Sequence, residues 1–348
     1  MKRFVNILLF MLATLFAGCD ATIHEYPNVD MRPVEVPITL DLVFDTSMDI
    51  YQQVEHNTRT PLIDESFDLR YIVNIYKTSM WRQIGGEVVK QYVFSKEEVA
   101  SWDNSFEIVL NEGTYDVVIW ADYVDAGTVV DKYYSTLDFS NICINGAHSG
   151  CNDYRDAYIG YKTVELSVRN TGESYVVNME RPMAKYRFIS NDLDAFISRM
   201  LAMKLKQQQE NRGEDDDTKG DTKVEVDLAD YYVEFMYEGY VNLSFNALLD
   251  MPAPMERITY RSSIVRLNDL EAEIGFDYVF MGHIDSEVMV SLKVFDQDNV
   301  QVAGVNKFPV PISRGKLTEV RGAMLTSQES GGVGINPDFD GEFWWEID

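Results

Sequence analysis

Three cysteines and four histidines are the softest nucleophiles and ligands in this sequence, and Cys19 has the most telling surroundings. It lies in the stretch LLFMLATLFAGCDATIHEYP, where an apolar run stops and polar sequence begins at the next residue. Lys2 and Arg3 precede the run, Val5 to Phe16 is apolar apart from Asn6 and Thr14, and Ala17 and Gly18 are small; this is the layout of a secretory signal. The run is about a dozen residues, short of the ~20 that a membrane-crossing helix needs. Leu15-Phe16-Ala17-Gly18-Cys19 reads as a bacterial lipobox, in which small residues admit a peptidase and the thiol accepts the lipid. Cys19 then becomes the first residue of the exported chain. A plain signal that happens to end on a cysteine is the other reading.

Cys143 and Cys151, in CINGAHSGC, remain. An even pair in an exported chain points to a disulfide, which over so short a loop is worth roughly 2–3 kcal/mol. His148 lies inside the loop, so a Cys/His metal site is an alternative, weakened by the want of a fourth ligand nearby. Two free thiols are a third possibility.

Catalytic signatures do not emerge. His24, His56, His148 and His283 are scattered, and no H-E-x-x-H, G-x-S-x-G, P-loop or strand-linked G-x-G-x-x-G occurs. The 57 acidic residues make chance carboxylate pairs inevitable, so such pairs do not argue for a glycosidase. The expectation is a protein that is not an enzyme and that holds no cofactor and no metal. Twenty tyrosines and five tryptophans allow for sugar stacking, but at alternating strand positions such rings more simply fill a core. Trp120 shares a strand face with Val118, which points to core or interface, whereas Trp344 and Trp345 would point to opposite faces of a strand.

The elements that must carry these residues are strands. Removing residues 1–18 leaves 330 of 348, enough for two domains, and loss of Lys2 and Arg3 takes the net charge from −27 to −29. So acidic a surface repels nucleic acid and anionic lipid. Residues 19–35, with Pro27 and Pro33, read as a tether. VPITLDLVF then alternates, with Val36, Ile38, Leu40, Leu42 and Phe44 on one face. Similar runs cover 69–76, 87–94, 105–110, 114–122, 164–168 and 174–179, and LNEGTYDV predicts a tight hairpin turning at Gly113. Near 181 the pattern changes. A helix is expected over about 192–208, capped by Asn191 or Asp192, followed by an acidic loop over about 210–222 that lacks the spacing of a calcium site. Strand patterns resume at 230–237, 259–267, 277–284, 287–295, 300–306, 316–325 and 342–347. Short strands broken by turns indicate an all-β chain of two antiparallel β-sandwiches, 36–180 and 181–348, with one short helix in the second.

LNEGTYDVVIWADY, YRDAYIGYKTVEL, VVNMERPMAKYRFISND and FPVPISRGKLTEVRGAMLT, in this order and with the lipobox, resemble the fimbrillin superfamily, in particular its lipoprotein fimbrillin-like and anchor branch. The resemblance runs from about residue 36 to the C-terminus. It implies transthyretin-like sandwiches and a role in type V pili at the outer membrane surface, with other pilus subunits, surface proteins or a host protein or glycan as partners. In that family a protease removes the first strand and a neighbour's extended segment fills the groove. The matching segment here is 36–44, with Arg59 as the basic processing candidate and Phe343 and Trp345 in a C-terminal segment that could be donated. Arg59 as an ordinary loop residue, with the strand held permanently, fits a lipid-tethered anchor better. A surface glycan-binding lipoprotein of a polysaccharide-uptake system is the second reading.

Overall fold

The computed structural model describes residues 33–48, 50–52, 66–78, 87–97, 105–211, 224–255 and 257–327. The first half contributes β1 (Glu35–Phe44), β2 (Ile50–Gln52), β3 (Phe67–Lys77), β4 (Val88–Glu97), β5 (Ser105–Asn111), β6 (Gly113–Asp125), β7 (Tyr134–Ser135), β8 (Ile142–Ile144), β9 (Ala157–Leu166) and β10 (Ser174–Glu180). The second contributes β11 (Met183–Ser190), the helix α1 (Leu193–Asn211), β12 (Tyr231–Tyr237), β13 (Val241–Asn246), β14 (Met251–Met255), β15 (Thr259–Ser263), β16 (Val265–Arg266), β17 (Ala272–Phe280), β18 (Ser286–Asp296), β19 (Gln301–Ile312) and β20 (Leu317–Gly322). The fold is mainly β, as the alternating patterns require. Among the described residues no helix is long and apolar enough to cross a membrane.

Seven strands of the first half are linked in one sheet, β4-β3-β6-β9-β10-β1-β5. This sheet rolls over a single core that takes side chains from β1, β3, β5, β6, β9 and β10, among them Ile38, Leu40, Val73, Ile108, Ile119 and Val177. Its two outer strands meet: Lys90 Nζ of β4 donates to the Val109 carbonyl of β5 at 2.8 Å, and Phe94 packs edge-on against Phe106. β5 and β6 are therefore not a hairpin. Gly113, at φ 150°, turns the chain from β5 beside β1 to β6, where it pairs with Leu166 of β9. The connection is a corner between two parts of one sheet.

In the second half the sheets β16-β17-β11-β20-β2 and β15-β12-β18-β19 face each other over Phe188, Phe235, Ile274, Leu292 and Val320. Leu193, Phe196 and Met200, at helical spacing on α1, close one side of this core. Asp192 is not a cap of the expected kind. Its carboxylate accepts the N–H groups of Leu325 and Thr326, pinning the end of the described chain beside the helix start.

Not every pairing is antiparallel. β1 runs parallel to β10, β11 parallel to β20, and β2 parallel to β20. In each half the first strand thus lies beside the last.

The halves share structure across residue 181. The small sheet β14-β13-β8-β7 takes two strands from each side. A third core joins Ile72, Val118, Trp120 and Ile159 of the rolled sheet to Phe245 of β13 and to Phe276, Tyr278 and Phe280 of β17. β6 thus buries both faces, which is why VVIWA reads as a continuous apolar run. β17 also serves two cores, because a bulge opposite Phe188 and Ile189 flips its alternation at Gly275. A Cβ at Gly275 would lie 2.4 Å from the Phe235 ring, so only glycine fits.

Charge is buried at the same seam. Arg155 donates to Asp277 Oδ1 at 2.7 Å, Tyr237 OH donates to Asp277 Oδ2 at 2.7 Å, and His148 Nε2 lies 2.9 Å from Oδ2. Burial works to raise the Asp277 carboxyl, but Arg155, with the hydrogen bonds from His148 and Tyr237, outweighs it and holds the group below its ordinary value.

Asp277→Asn leaves Arg155 buried without a counter-charge and is expected to lose about 3–5 kcal/mol in chemical denaturation at neutral pH. Because the folded carboxyl sits below its ordinary value, its contribution is complete above the unfolded pKa of ~3.9 and fades as pH falls through the folded one. Denaturation curves from pH 7 to pH 3 should show the parent losing more stability at the acid end than the variant.

Candidate functional site

β1 is an interior strand of the rolled sheet, between β10 and β5. Val36 to Asp41 pair with Leu110 to Ser105 of β5, and Thr39 to Phe44 pair with Ser174 to Met179 of β10. Val36, Ile38, Leu40 and Leu42 are buried in the core, as their alternation predicts. Phe44, half-buried, packs edge-on against Tyr71 and Tyr158. On the outer face the Asp41 carboxylate accepts hydrogen bonds from Ser105 on β5 and Ser174 on β10, which hold it below its ordinary value. Five of the expected strand-exchange side chains therefore sit together in one slot, with the strand in place. Cys19, Arg59, Phe343 and Trp345 lie outside the described residues, so the expectations attached to them receive no geometry here.

Where β1 ends, Arg181 takes hold of it. The Nη1 group donates to the carbonyls of Asp45 and Ser47 at 3.1 and 2.9 Å, and Nη2 reaches the Thr46 carbonyl at 3.4 Å. Nε donates to both Asp156 oxygens at 2.9 and 2.8 Å, and Nη2 also donates to Tyr158 OH at 2.6 Å. Arg181 is only 6% exposed. A planar guanidinium with five donors can serve all these acceptors, whereas an ammonium cannot. Its own carbonyl accepts from Arg314, which pairs with Asp250, and Gly315 donates to the Met183 carbonyl. The ends of β1 and β10 and the starts of β11 and β20 thus meet at one joint. Beyond it the chain crosses to the second half, where β2 pairs with β20.

A small open cleft of about 90 Å³ lies on this joint, lined by Asp45, Ser47, Glu180, Arg181, Arg314 and Gly315. Ligand pockets usually span ~300–1,000 Å³ and are mostly apolar, so the cleft suits water or a small ion better than a sugar.

The cysteines depart from expectation. Cys143 and Cys151 are free thiols. Cys143 pairs with Ser244 of β13 and Ser135 of β7, while the Cys151 thiol donates to Ser262 Oγ at 3.1 Å and accepts the Phe276 N–H at 3.3 Å. Each is held by a different part of the seam, and burial pushes the Cys151 thiol up. His148 faces Asp277 in that seam, and His283 pairs with Asp250 near the joint. Among the described residues no group of three or more His, Cys, Asp and Glu side chains is gathered as a metal site would need.

The seam and the joint escaped the sequence reading. One signal was present: Asp277 stands inside the apolar run EIGFDYVF, where a charge needs a buried partner. Arg181 lies in the VVNMERPMAKYRFISND segment, where nothing local marks its role.

Residues 33–347 match the family described as "Family of unknown function (DUF6562)", and the chain belongs to that family. No curated protein matches the sequence. Solved structures similar to it include adhesins, fimbrial proteins and polysaccharide binding proteins. A candidate adhesin from Bacteroides ovatus is 14% identical, with 78% of this chain and 76% of that one covered and a TM-score of 0.41. The fimbrial anchor protein Mfa2 from Porphyromonas gingivalis is 10% identical over 77% of this chain and 81% of its own, with a TM-score of 0.38. Candidate polysaccharide binding proteins (DUF1812) from Bacteroides thetaiotaomicron are 8% identical over 77% and 78%, with a TM-score of 0.42.

Arg181→Ala should destabilise the protein by about 3–5 kcal/mol, since Asp156 loses its counter-charge in a buried place. Hydrogen exchange should quicken first at 45–52 and at the end of β1. Equal quickening throughout the chain would show that the joint has no local role.

Proposed function

We infer that this is a lipid-anchored cell-surface protein, a fimbrial anchor or accessory subunit, which acts in adhesion and assembly by β-strand pairing. One observation carries the reading. β1 occupies an interior slot, with a partner on each edge and four side chains in the core. Main-chain hydrogen bonds on two edges with pockets for alternate side chains are the requirements for accepting an extended segment from another chain. The alternation of 36–44, the lipobox at Cys19 and the four segments that resemble fimbrillins support the same reading.

Anchoring follows from the chemistry of Cys19. A single acyl chain holds a protein only marginally, so durable retention at the outer membrane requires the several chains that a lipidated N-terminal cysteine carries. A chain tethered there keeps residues 20–59, hence β1 and β2, and its own first strand fills the slot. A subunit cut after Arg59 would lose both strands together and would open the rolled sheet and the β20 edge at once.

Two experiments test this. Metabolic labelling with a fatty acid should mark the parent and leave Cys19→Ala unlabelled; equal labelling would overturn the anchor. A chain beginning at residue 45, lacking β1, should bind a peptide copying residues 34–46 and regain protease resistance. The same peptide carrying Ile38→Asp and Leu40→Asp should not bind. If the shortened chain is as stable as the parent and ignores both peptides, strand pairing at this slot is wrong.

A further inference from the structure

The parallel pairing of first and last strands has a mechanical consequence. β1 and β10 lie side by side over six paired rows, Thr39–Ser174 to Phe44–Met179, and both end at the Arg181 joint. β11 and β20 start at the same joint and lie side by side over six rows, Lys185–Leu317 to Ser190–Gly322. The N-terminal end of β1 and the C-terminal end of β20 are therefore the ends furthest along their pairs from the joint. Tension that draws residue 33 away from the joint pulls β1 lengthwise along β10, and tension that draws residue 327 away from it pulls β20 lengthwise along β11. Every hydrogen bond of a pair then bears load together. A force across the pair would instead peel bonds one after another. Two parallel pairs in series, each loaded in shear, resist pulling far better than their thermodynamic stability suggests, since forced unfolding is governed by the unfolding barrier.

The surroundings reinforce both pairs. The Thr39 N–H donates to the Glu173 carbonyl at 2.9 Å and the Asp45 N–H to the Met179 carbonyl at 3.0 Å, closing the first pair at each end. Lys185 and Asn191 donate to the Lys316 and Gly322 carbonyls and close the second likewise. Arg181 ties the far end of β1 to the joint through three carbonyls. At the other end Arg199 donates to the carbonyls of Leu325 and Thr326, and Asp192 and Ser190 accept the N–H groups of residues 324–326. Residues 324–327 are thus pinned beside the end of β11 and cannot simply peel away.

We propose that the chain is a load-bearing linker whose two parallel strand pairs, β1–β10 and β11–β20, are shear clamps in series for tension between its N-terminal and C-terminal sides. The proposal rests on the reading above only for the source of the load, a lipid on one side and a bound partner on the other.

Single-molecule pulling on the full chain tests it. Handles at Pro33 and Ser327 load the clamps in shear, while handles at Pro33 and Thr171 peel the start of β1 from the start of β10. The first rupture with the outer handles is expected at about twice the force of the peeling geometry, or more. Asp45→Pro removes the bond to the Met179 carbonyl at the joint end of the clamp; it should lower the rupture force with the outer handles and leave unchanged the force at which peeling starts from the other end. Should that variant fold poorly, the comparison of the two geometries in the parent still decides. Equal forces in the two geometries would overturn the proposal. So would a first rupture in which the seam parts while β1 and β10 stay paired. Failure of the fatty-acid labelling would remove the lipid as the source of load and leave the force ratio standing.

Discussion

The structure turns on a buried guanidinium. Arg181 stands at the passage from the first half to the second, almost wholly out of water, and burial without acceptors for its donors would be prohibitive. Those acceptors come from three separate places: the Asp156 carboxylate, the Tyr158 hydroxyl and the main chain just after β1. Folding must therefore bring the exit of β1, the entrance of β9 and the joint within reach of one side chain. Once that holds, the path of 45–48 is set, and the chain leaves β1 towards β20. A fixed first strand and a fixed relation between the halves are two results of one constraint.

The seam around Asp277 works alongside it. Trp120, Phe245 and Phe280 supply apolar area there, but apolar contact alone would tolerate sliding. Arg155, His148 and Tyr237 converge on a carboxylate that is 1% exposed, and each of these bonds fails if the halves shift by an ångström or two. Replacing such a cluster with well-packed hydrophobic groups often costs little stability. Its value here is positional, because it sets how the loop of residues 148–155 meets β17 and β12. The CINGAHSGC stretch is thus a buckle between the halves, and its cysteines are bound up with different strands of that buckle.

What could be read from the sequence was local. The alternation of 36–44 identified both β1 and its buried face, and the continuous run VVIWA marked a strand with two covered faces and Trp120 in a core. Leu193, Phe196 and Met200 announced α1, which runs to Asn211 and is longer than expected. What could not be read was the choice of partner. No residue of β1 says that its neighbour is β10 and that the two are parallel, since register and direction emerge only when the sheet is assembled. Gly113 looked like a hairpin turn because a glycine between two apolar runs permits one; the rolling of the sheet sent the second run elsewhere. The change of pattern near 181 does not show that β11 begins as early as Met183, and the short β7 and β8 carry too few residues to show a period. Asp192 had a cap residue's type and place, yet two N–H groups from distant positions compete for the same oxygens and win. The cysteine spacing allowed a disulfide, and the seam holds the two thiols apart.

The interior place of β1, between β5 and β10, gives these features one physical sense. A strand lost from an edge uncovers one row of N–H and C=O groups, which water can satisfy. A strand lost from between β5 and β10 uncovers two facing rows and the pockets of Val36, Ile38, Leu40 and Leu42, so the sheet is left with a vacancy that water fills badly. Such a slot strongly favours occupancy but has limited means to discriminate between occupants, because most of its bonds are to main chain. Arg181 extends the same indifference past the end of the slot, since its three contacts with residues 45–47 are all to carbonyls. Specificity must then come from the alternation of apolar side chains and from what is tethered nearby. A strand delivered by its own chain is present at high effective concentration, and a foreign strand competes only where that tether has been cut. The proposed pairing therefore rests on the position of β1 in the sheet more than on the identity of any one residue.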